Sequence, residues 1–306
     1  MLLAAPGTPQ RLDRFLASAV EGLSRARAQA LIAEGRVRVN GRRGAKGSVV
    51  GPADQVEVEG EVAPPDWTPR PDPDVAVRVA LEDDDVLVLD KPSGVPTHPL
   101  RPEEMGTVAN WLAAHRPQTT GVGYGPREPG IVHRLDVGTS GLLLVAKNAA
   151  AFERLQADLR AGKIEKEYLA IVEGPAPQAD VIGFAIDDEK SGKVVAWTDE
   201  LPKPGRRARP AETVVDVVRR LGPRALVRAS VAKAARHQVR VHLAAIGCPL
   251  LGDALYGGPE VPGLSRHALH AAGIRFAHPK DGHTVRVTSP LPPELQAIVD
   301  AGAPQP

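Results

Sequence analysis

The chain has 306 residues, 42% of them hydrophobic, which suffices for one large core or for two domains of unequal size. Its 30 glycines and 30 prolines are dispersed between apolar segments, which excludes a collagen-like or wholly disordered protein. The single cysteine, Cys248, excludes an intrachain disulfide and a cysteine-based zinc site, and the formal net charge of +1 does not by itself indicate a nucleic-acid partner.

The N-terminal stretch Met1-Leu2-Leu3-Ala4-Ala5 lacks the basic leader of a secretory signal and is followed at once by Pro6-Gly7. No apolar run approaches the roughly 20 residues needed to span a bilayer. We therefore expect a cytoplasmic protein without a membrane partner, with a monomer as the default oligomeric state.

Residues 1–62 are predicted to form a small αα-β domain. Apolar residues at helical spacing in residues 11–21 predict one helix, and Ser24 can cap a second helix that ends at Gly35. Alternating valines and arginines then predict a strand that ends in the tight turn Asn40-Gly41.

Basic side chains are concentrated in this small domain. Cations at a helix start and an adjoining hairpin can meet successive phosphates, although an arginine cluster taken alone is more often a solvated charged face. The stretch EGRVRVNGR resembles the small RNA-binding domain first known from a small-subunit ribosomal protein, the alpha-L type, over residues 10–60. The resemblance favours RNA, and the expected contacts are Arg25, Arg27, Arg36, Arg38, Arg42, Arg43 and Lys46.

A proline-rich segment, residues 63–76, is predicted to be a semi-rigid linker. The second domain, residues 77–306, contains several apolar strand patterns, among them VLVLD and GLLLVAK, with few regular strand-helix alternations. This pattern predicts an α+β fold with a mixed, largely antiparallel sheet.

The most informative stretch is IVHRLDVGTSGLLLVAK, residues 131–147. It places one carboxylate, Asp136, in a glycine- and hydroxyl-containing turn just ahead of an apolar strand, which is a rigid mount for a catalytic group. Taken alone, Asp136 would more often only cap the turn.

The words HRLD, TSGLLL and AK, in this order, resemble the central motif of the RluA-type pseudouridine synthases, in the branch that acts on large-subunit ribosomal RNA. ALEDDDVLVLDKPSGVPTHP, KEYLAIVEG, RHQVRVHLAAIGCPLLGDALYG and LHAAGIRFAHP resemble other motifs of the same family, so that the resemblance spans about residues 77–290. It implies isomerisation of uridine to pseudouridine in structured RNA, without a cofactor.

The resemblance assigns the catalytic roles to Asp136, Tyr168 and Arg240. Asp136 would act as nucleophile or as base, Arg240 would hold its carboxylate, and Tyr168 would stack on the uracil. The remaining expected RNA contacts are His133, Arg236, His237 and Arg134. Arg134 would either fill the place of an everted base or form a salt bridge within the turn.

Two departures from the family pattern stand out. Gly138 occupies a position where many relatives carry Asp, and a turn tolerates either residue. Lys233-Ala234-Ala235-Arg236 replaces the usual Thr-Gly-Arg before the His-Gln pair, which moves the guanidinium one position along.

Two alternative functions remain open from the sequence. A non-catalytic RNA-binding assembly factor could keep the same scaffold, but the joint presence of all three catalytic residues argues against it. A glycosidic hydrolase usually needs two apposed carboxylates, and only one lies in a motif. His133, His237 and His242 have no carboxylate at zinc-site spacing, and we expect no metal.

Overall fold

The computed structural model describes residues 1–4, 6–60, 66–189, 193–198 and 208–302. The chain divides into two compact units, Met1–Asp66 and Trp67–Pro306. Among the described helices, none is long and apolar enough to cross a membrane.

The first unit has two helices and six short strands. The helices are α1 (Leu12–Ala19) and α2 (Arg25–Ala33), and the strands are β1 (Leu2–Leu3), β2 (Gln10–Arg11), β3 (Val37–Val39), β4 (Arg42–Arg43), β5 (Val49–Val50) and β6 (Val56–Val58). Strands β1, β6, β3 and β4 form one sheet in this order, and β2 pairs with β5. The predicted αα-β arrangement is confirmed.

Local sequence explains the turns of this unit. Ser24 accepts a hydrogen bond from the Arg27 N–H and caps α2 as predicted. Asn40 and Gly41 both have positive φ angles, +51° and +75°, which is the geometry that a two-residue hairpin between β3 and β4 requires.

The second unit is built on a nine-stranded sheet. Its strands are β7 (Arg78–Glu82), β8 (Val86–Lys91), β9 (Ser140–Ala146), β10 (Glu165–Glu173), β11 (Ala179–Ile182), β14 (Thr213–Leu221), β15 (Arg224–Val231), β16 (Leu269–Ala277) and β17 (Thr284–Thr288), while β12 (Ala185–Asp188) and β13 (Val194–Trp197) form a separate hairpin. The order is β11-β14-β15-β10-β16-β9-β8-β7, with β17 beside β16. Only β9 and β16 pair in parallel among these described strands, so the predicted mixed, largely antiparallel sheet is confirmed.

Helices cover both faces of this sheet. They are α3 (Val108–His115), α4 (Ala149–Ala161), α5 (Gln238–Ala245) and α6 (Pro293–Ala301), with short 3-10 helices at Pro117–Thr119 and Ala254–Tyr256. All seven residues of β9 are buried, as the apolar run predicted. Because side chains alternate along a strand, Leu143 packs with α3 and α5, whereas Leu142 and Leu144 pack with α4.

The predicted linker, residues 63–76, is described from residue 66 onward. Within that part, Arg70 O accepts a hydrogen bond from Asn110 Nδ2 at 2.8 Å, and the Asp72 N–H donates to Asn110 O at 3.1 Å. Residues 70–72 are therefore held against α3.

Asp13 connects the two helices of the first unit. This buried carboxylate accepts hydrogen bonds from Gln29 Nε2 at 2.7 Å, Arg25 Nε at 2.9 Å and Arg11 Nε at 3.1 Å. The bond from Gln29, assisted by the two arginines, lowers the pKa of Asp13 well below its usual range, against the opposing effect of burial. Its stabilising contribution is therefore complete above the ordinary Asp pKa of about 3.9 and is lost as the pH falls below that value.

We predict that Asp13→Asn lowers the free energy of unfolding of the first unit by about 2 kcal/mol at pH 7, because three side-chain donors and the Arg14 N–H lose a charged acceptor. Tryptic cleavage inside α2 should accelerate by more than about tenfold, since cleavage tracks the open population. Glu21→Gln, the same charge change at an exposed position, is the control. Equal cleavage rates in both variants would show that Asp13 does not hold the helices together.

Candidate active site

Asp136 lies in a turn that immediately precedes β9. Thr97 Oγ1 donates to Leu135 O at 2.9 Å and accepts the Leu135 N–H at 3.1 Å. The Thr139 N–H donates to Asp136 O at 3.0 Å, which closes the turn. The turn is thus attached to a rigid strand on one side and to the Thr97 loop on the other, as a catalytic mount requires.

Lys91 supports the same turn from below. Its side chain is fully buried at the end of β8, and Nζ donates to Val95 O at 2.8 Å, Pro92 O at 2.9 Å and Val137 O at 3.3 Å. Burial, reinforced by the positive charge of Arg266, lowers the pKa of Lys91 to about 7, and the charge of Asp136 opposes the shift. Three carbonyl acceptors match the three protons of an ammonium group.

Arg266 and His267 fix the far side of the turn. Arg266 Nη1 donates to Gly138 O at 3.1 Å, and Thr139 Oγ1 lies 2.8 Å from His267 Nε2. A Cβ added at Gly138 would lie 2.8 Å from His267 Cε1, so a larger residue here requires the imidazole to move. Gly138, which departs from the family pattern, therefore leaves the space that the His267 imidazole occupies.

Arg240 joins two carboxylates. Nη1 donates to Asp136 Oδ2 at 3.0 Å, while Nε and Nη2 donate to the two oxygens of Asp253 at 2.7 and 2.8 Å. Asp253 is buried and α5 carries Arg240, so the bidentate pair fixes the orientation of the guanidinium plane. The remaining Nη1 group points at Asp136, whose side chain is 19% exposed.

Tyr168 faces the same cavity as Asp136 and Arg240. The cavity has a volume of about 430 Å³ and is lined by residues from the Asp136 turn, from β10, and from the segment that leads into α5. Burial, together with the negative charge of Asp136, raises the pKa of the Tyr168 hydroxyl well above its usual range, so it is protonated at physiological pH. The structure thus brings the three predicted catalytic residues together.

A larger cavity of about 750 Å³ shares Lys166, Val231 and Lys233 with this one. Neither Asp136 nor Arg240 lines it, and its wall carries the Arg275–Glu165 ion pair. The smaller cavity is the candidate active site because it contains Asp136, Tyr168 and Arg240, the three residues predicted to be catalytic.

His133 and Arg134 both line the smaller cavity. His133 Nε2 accepts the Leu144 N–H at 3.2 Å, which turns this nitrogen toward β9. Burial and the nearby Lys166 ammonium lower the pKa of His133 to about 3, so the ring is neutral. Arg134 is exposed and its Nη1 lies 3.4 Å from His98 Nε2.

Arg236 and His237 lie at the start of α5, a helix that the sequence analysis did not predict. Arg236 donates through Nη2 at 2.9 Å and through Nε at 3.2 Å to Asp188 Oδ1 on β12. Arg236 lines the cavity, but its guanidinium is paired with a carboxylate of the β12–β13 hairpin. His237 Nε2 lies 3.7 Å from Asp136 Oδ2.

The predicted RNA contacts of the first unit fall into two groups. Most are bound within the unit: Arg25 to Asp13, Arg27 and Arg36 to Glu34, Arg38 to Glu59, and Arg43 to Ala33 O. Arg42 and Lys46 are exposed, and neither has a polar partner among the residues that the structure describes. The side chain of Arg14, which was not among the predicted RNA contacts, is likewise exposed and has no polar partner among the described residues.

Three buried groups of the site were not singled out from the sequence. Asp253 lay inside a quoted motif without an assigned role, and so did Lys91. Lys166 donates to Ala232 O at 3.0 Å, and burial lowers its pKa to about 8. The sequence offered one signal for these three residues, which is that each lies inside a motif that resembles the family. Their roles could not be predicted further, because each depends on contacts with other segments of the fold.

Clusters with metal-ligand spacing occur elsewhere in the described part of the chain. One comprises His278, Asp281 and His283, and the other Asp83, Asp85 and His278. In each cluster the candidate ligand atoms lie within 4.8 Å of one another, and the imidazoles of His278 and His283 are stacked at 14°. Neither cluster includes His133, His237 or His242.

Comparison with known proteins identifies two family models. Residues 85–245 match the RNA pseudouridylate synthase model and residues 10–62 match the S4 domain model. A protein of Chlorobaculum parvum called an uncharacterized RNA pseudouridine synthase is 34% identical over 313 residues, covering 96% of this chain and 94% of the relative. The ribosomal large subunit pseudouridine synthase D of Haemophilus ducreyi is 33% identical, with 95% and 90% covered.

A solved structure agrees with these matches. Human RNA pseudouridylate synthase domain containing 1 has a TM-score of 0.57 and 26% identity, and the similarity covers 73% of this chain and 88% of the human chain. The predicted family resemblance, in both parts of the chain, is confirmed.

We predict that Lys91→Met loosens the turn that carries Asp136, because three carbonyl oxygens lose their shared donor. Amide hydrogen exchange in residues 135–140 should accelerate by about tenfold or more, while exchange in α4 stays unchanged. Lys147→Met is the control, since Lys147 Nζ is also largely covered but bonds to Asp83 O and Glu82. Uniform acceleration over the whole second unit would contradict a local role for Lys91.

Proposed function

The chain belongs to the RNA pseudouridylate synthase family, and on that premise we propose that Asp136 is the catalytic carboxylate of a synthase acting on large-subunit ribosomal RNA. The chain is an RNA pseudouridine synthase with an N-terminal S4 domain, and the proposal concerns its residues and its substrate. One observation carries it: a guanidinium locked by buried Asp253 points its free N–H group at Asp136, 3.0 Å away.

The reaction breaks the bond between the ribose carbon and a uracil nitrogen and joins the same ribose carbon to a uracil carbon. The proton on this uracil carbon is released and the freed uracil nitrogen takes up a proton, so that no oxidant, reductant or group donor is consumed. Asp136 acts either as the nucleophile toward the sugar or as the base that starts cleavage. Both routes need an ionised carboxylate in a partly enclosed cavity, and Arg240 supplies the compensating charge.

The cavity suits a single everted nucleoside. The target base leaves its stack at a cost of a few kcal/mol and enters the space of about 430 Å³ between Asp136 and Tyr168. The protonated Tyr168 offers a ring face for stacking and a hydroxyl for proton transfer. Arg134, exposed on the cavity wall, is placed to occupy the position that the base leaves.

The names of relatives support the proposed substrate. Proteins of Haemophilus ducreyi, Yersinia pestis and Pasteurella multocida, each 33–34% identical over 95% of this chain, are called ribosomal large subunit pseudouridine synthase D. We further propose that the protein works as a monomer in the cytoplasm. The single cysteine suits a reducing compartment, and one chain supplies Asp136, Arg240 and Tyr168.

We propose that RNA contacts in the S4 domain centre on Arg42 and Lys46. A phosphate that binds an arginine already paired with a carboxylate competes with that negative charge, whereas these two side chains are exposed and have no partner among the described residues. They lie on β4 and in the turn after it, close to one another in the chain.

We predict that Asp136→Asn abolishes tritium release from uridine RNA labelled at the base carbon that bonds to the sugar, because the amide keeps the shape but loses the charge. RNA affinity in a filter-binding assay should stay within about threefold, since phosphate contacts dominate it. In cells carrying Asp136→Asn in place of the wild type, specific pseudouridines should be missing from large-subunit ribosomal RNA.

Three results would contradict parts of this proposal. Tritium release by the Asp136→Asn protein would remove the catalytic assignment. Equal loss of binding and turnover would show a structural role instead. An unchanged pseudouridine map of the large-subunit RNA, with sites lost in another RNA, would refute the substrate alone.

We predict that the double variant Arg42→Gln/Lys46→Gln weakens RNA binding and reduces the slope of log affinity against log salt by about two. The single-turnover rate at saturating RNA should not change. Arg27→Gln/Arg38→Gln is the matched control, because it removes two cations that are paired with Glu34 and Glu59. An equal change of slope in the control would show that the ion-paired arginines contact RNA as well.

A further inference from the structure

The two oxygens of the Asp136 carboxylate have different surroundings. Oδ2 accepts from Arg240 Nη1 at 3.0 Å and lies 3.7 Å from His237 Nε2. Among the residues that the structure describes, none donates a hydrogen bond to Oδ1. One oxygen is thus held by cationic and polar groups, and the other is available to a substrate.

The orientation of His237 follows from its partners on the other side of the ring. His237 Nδ1 lies 2.9 Å from the Tyr256 hydroxyl oxygen, and the two rings meet edge to face. The Val194 N–H of β13 donates to the same hydroxyl oxygen at 3.1 Å. A backbone N–H can only donate, so the hydroxyl proton remains available for donation to His237 Nδ1.

This arrangement favours one tautomer of the imidazole. When Nδ1 accepts the hydroxyl proton, a neutral ring carries its proton on Nε2, the nitrogen that faces Asp136. Burial lowers the pKa of His237 below its ordinary value, and the charges of Arg240 and Arg236 act in the same direction against those of Asp136 and Asp253. The neutral ring is therefore the form present at physiological pH.

The backbone of His237 is strained. Its φ of +57° and ψ of +12° lie in the left-handed region, which residues with a Cβ adopt only at an energetic cost. The next residue holds the conformation in place, because Gln238 Oε1 accepts the Ala235 N–H and Gln238 Nε2 donates to Glu212 O. Strain of this kind is tolerated where a side chain must be aimed at a functional group.

We propose that His237 is a positioning residue that directs its Nε2–H at Asp136 Oδ2, so that Oδ1 faces the sugar, and that Tyr256 sets the required tautomer. The proposal rests on the proposed role of Asp136. The separation of 3.7 Å exceeds a hydrogen bond and shortens when the substrate closes the cavity, as catalytic contacts commonly do. Arg240 and His237 then hold Oδ2 from two directions and orient the carboxylate.

Two substitutions of His237 separate this role from a structural one. Glutamine places an amide N–H near the position of Nε2, whereas asparagine places it near Nδ1 and leaves Asp136 without that donor. Asparagine tolerates the left-handed backbone better than glutamine. A positioning role therefore predicts that glutamine is the better substitute, and a purely conformational role predicts asparagine.

The experiment measures single-turnover pseudouridine formation against RNA concentration. His237→Asn should lower the rate at saturating RNA by about tenfold or more, with half-saturation unchanged, and His237→Gln should stay within about threefold of wild type. His283→Gln, at an exposed histidine of the β16–β17 turn, is the control and should match wild type. The opposite order of the two variants would overturn the proposal.

Nitrogen NMR of the histidine rings provides a second test that does not depend on any His237 variant folding. In the wild type, His237 should carry its proton on Nε2 at pH 7, and Tyr256→Phe should shift the ring toward a mixture of tautomers and slow the reaction. A wild-type ring protonated on Nδ1, or a His237→Asn effect confined to half-saturation, would overturn the proposal and indicate an RNA contact.

The role of Asp136 is tested in parallel. If Asp136→Asn still forms pseudouridine, the proposed function fails and the role of His237 fails with it. If Asp136→Asn is inactive while both His237 variants match wild type, only the role of His237 is refuted.

Discussion

The site depends on one guanidinium shared between two carboxylates. Arg240 gives two hydrogen bonds to buried Asp253 and one to Asp136, so its plane is fixed before any substrate arrives. A lysine could not reproduce this geometry, because a point charge on a flexible stem has no fixed fork of donors. The ion pair with Asp253 compensates the burial of Arg240. The remaining N–H group of Arg240 stabilises the negative charge of Asp136 in a cavity of limited exposure.

Two buried basic side chains hold the turn that carries this carboxylate. Lys91 binds Val137 O from the end of β8, and Arg266 binds Gly138 O from the segment that leads into β16. Both donate mainly to backbone carbonyls rather than to carboxylates, so they restrain the turn without neutralising Asp136. These bonds hold the loop rigidly against the sheet. Functional residues commonly lie on loops that a rigid scaffold positions in this way.

In the S4 domain, the number of basic residues exceeds the number of basic side chains that are free to bind a phosphate. The basic cluster from Arg25 to Lys46 contains one acid, Glu34, yet the fold brings Asp13 and Glu59 against it from outside that segment. These carboxylates make several of the arginines structural. Exposed cations that have no partner within the described ranges, such as Arg42 and Lys46, are fewer than the linear cluster suggests.

The sequence by itself determined the family, the α+β class, and the helices and hairpin turn of the first unit, because periodicity and motif words are local properties of a chain. It also predicted a catalytic role for Asp136, Tyr168 and Arg240, which line one cavity. It did not predict α5, the role of Asp253 or the strained backbone of His237. Those were decided by the tertiary structure, since Asp253 binds Arg240 from a segment beyond α5 and the hydroxyl of Tyr256 joins His237 to the hairpin at Val194. Contacts between distant segments depend on how the sheet and helices pack, and no local pattern encodes them.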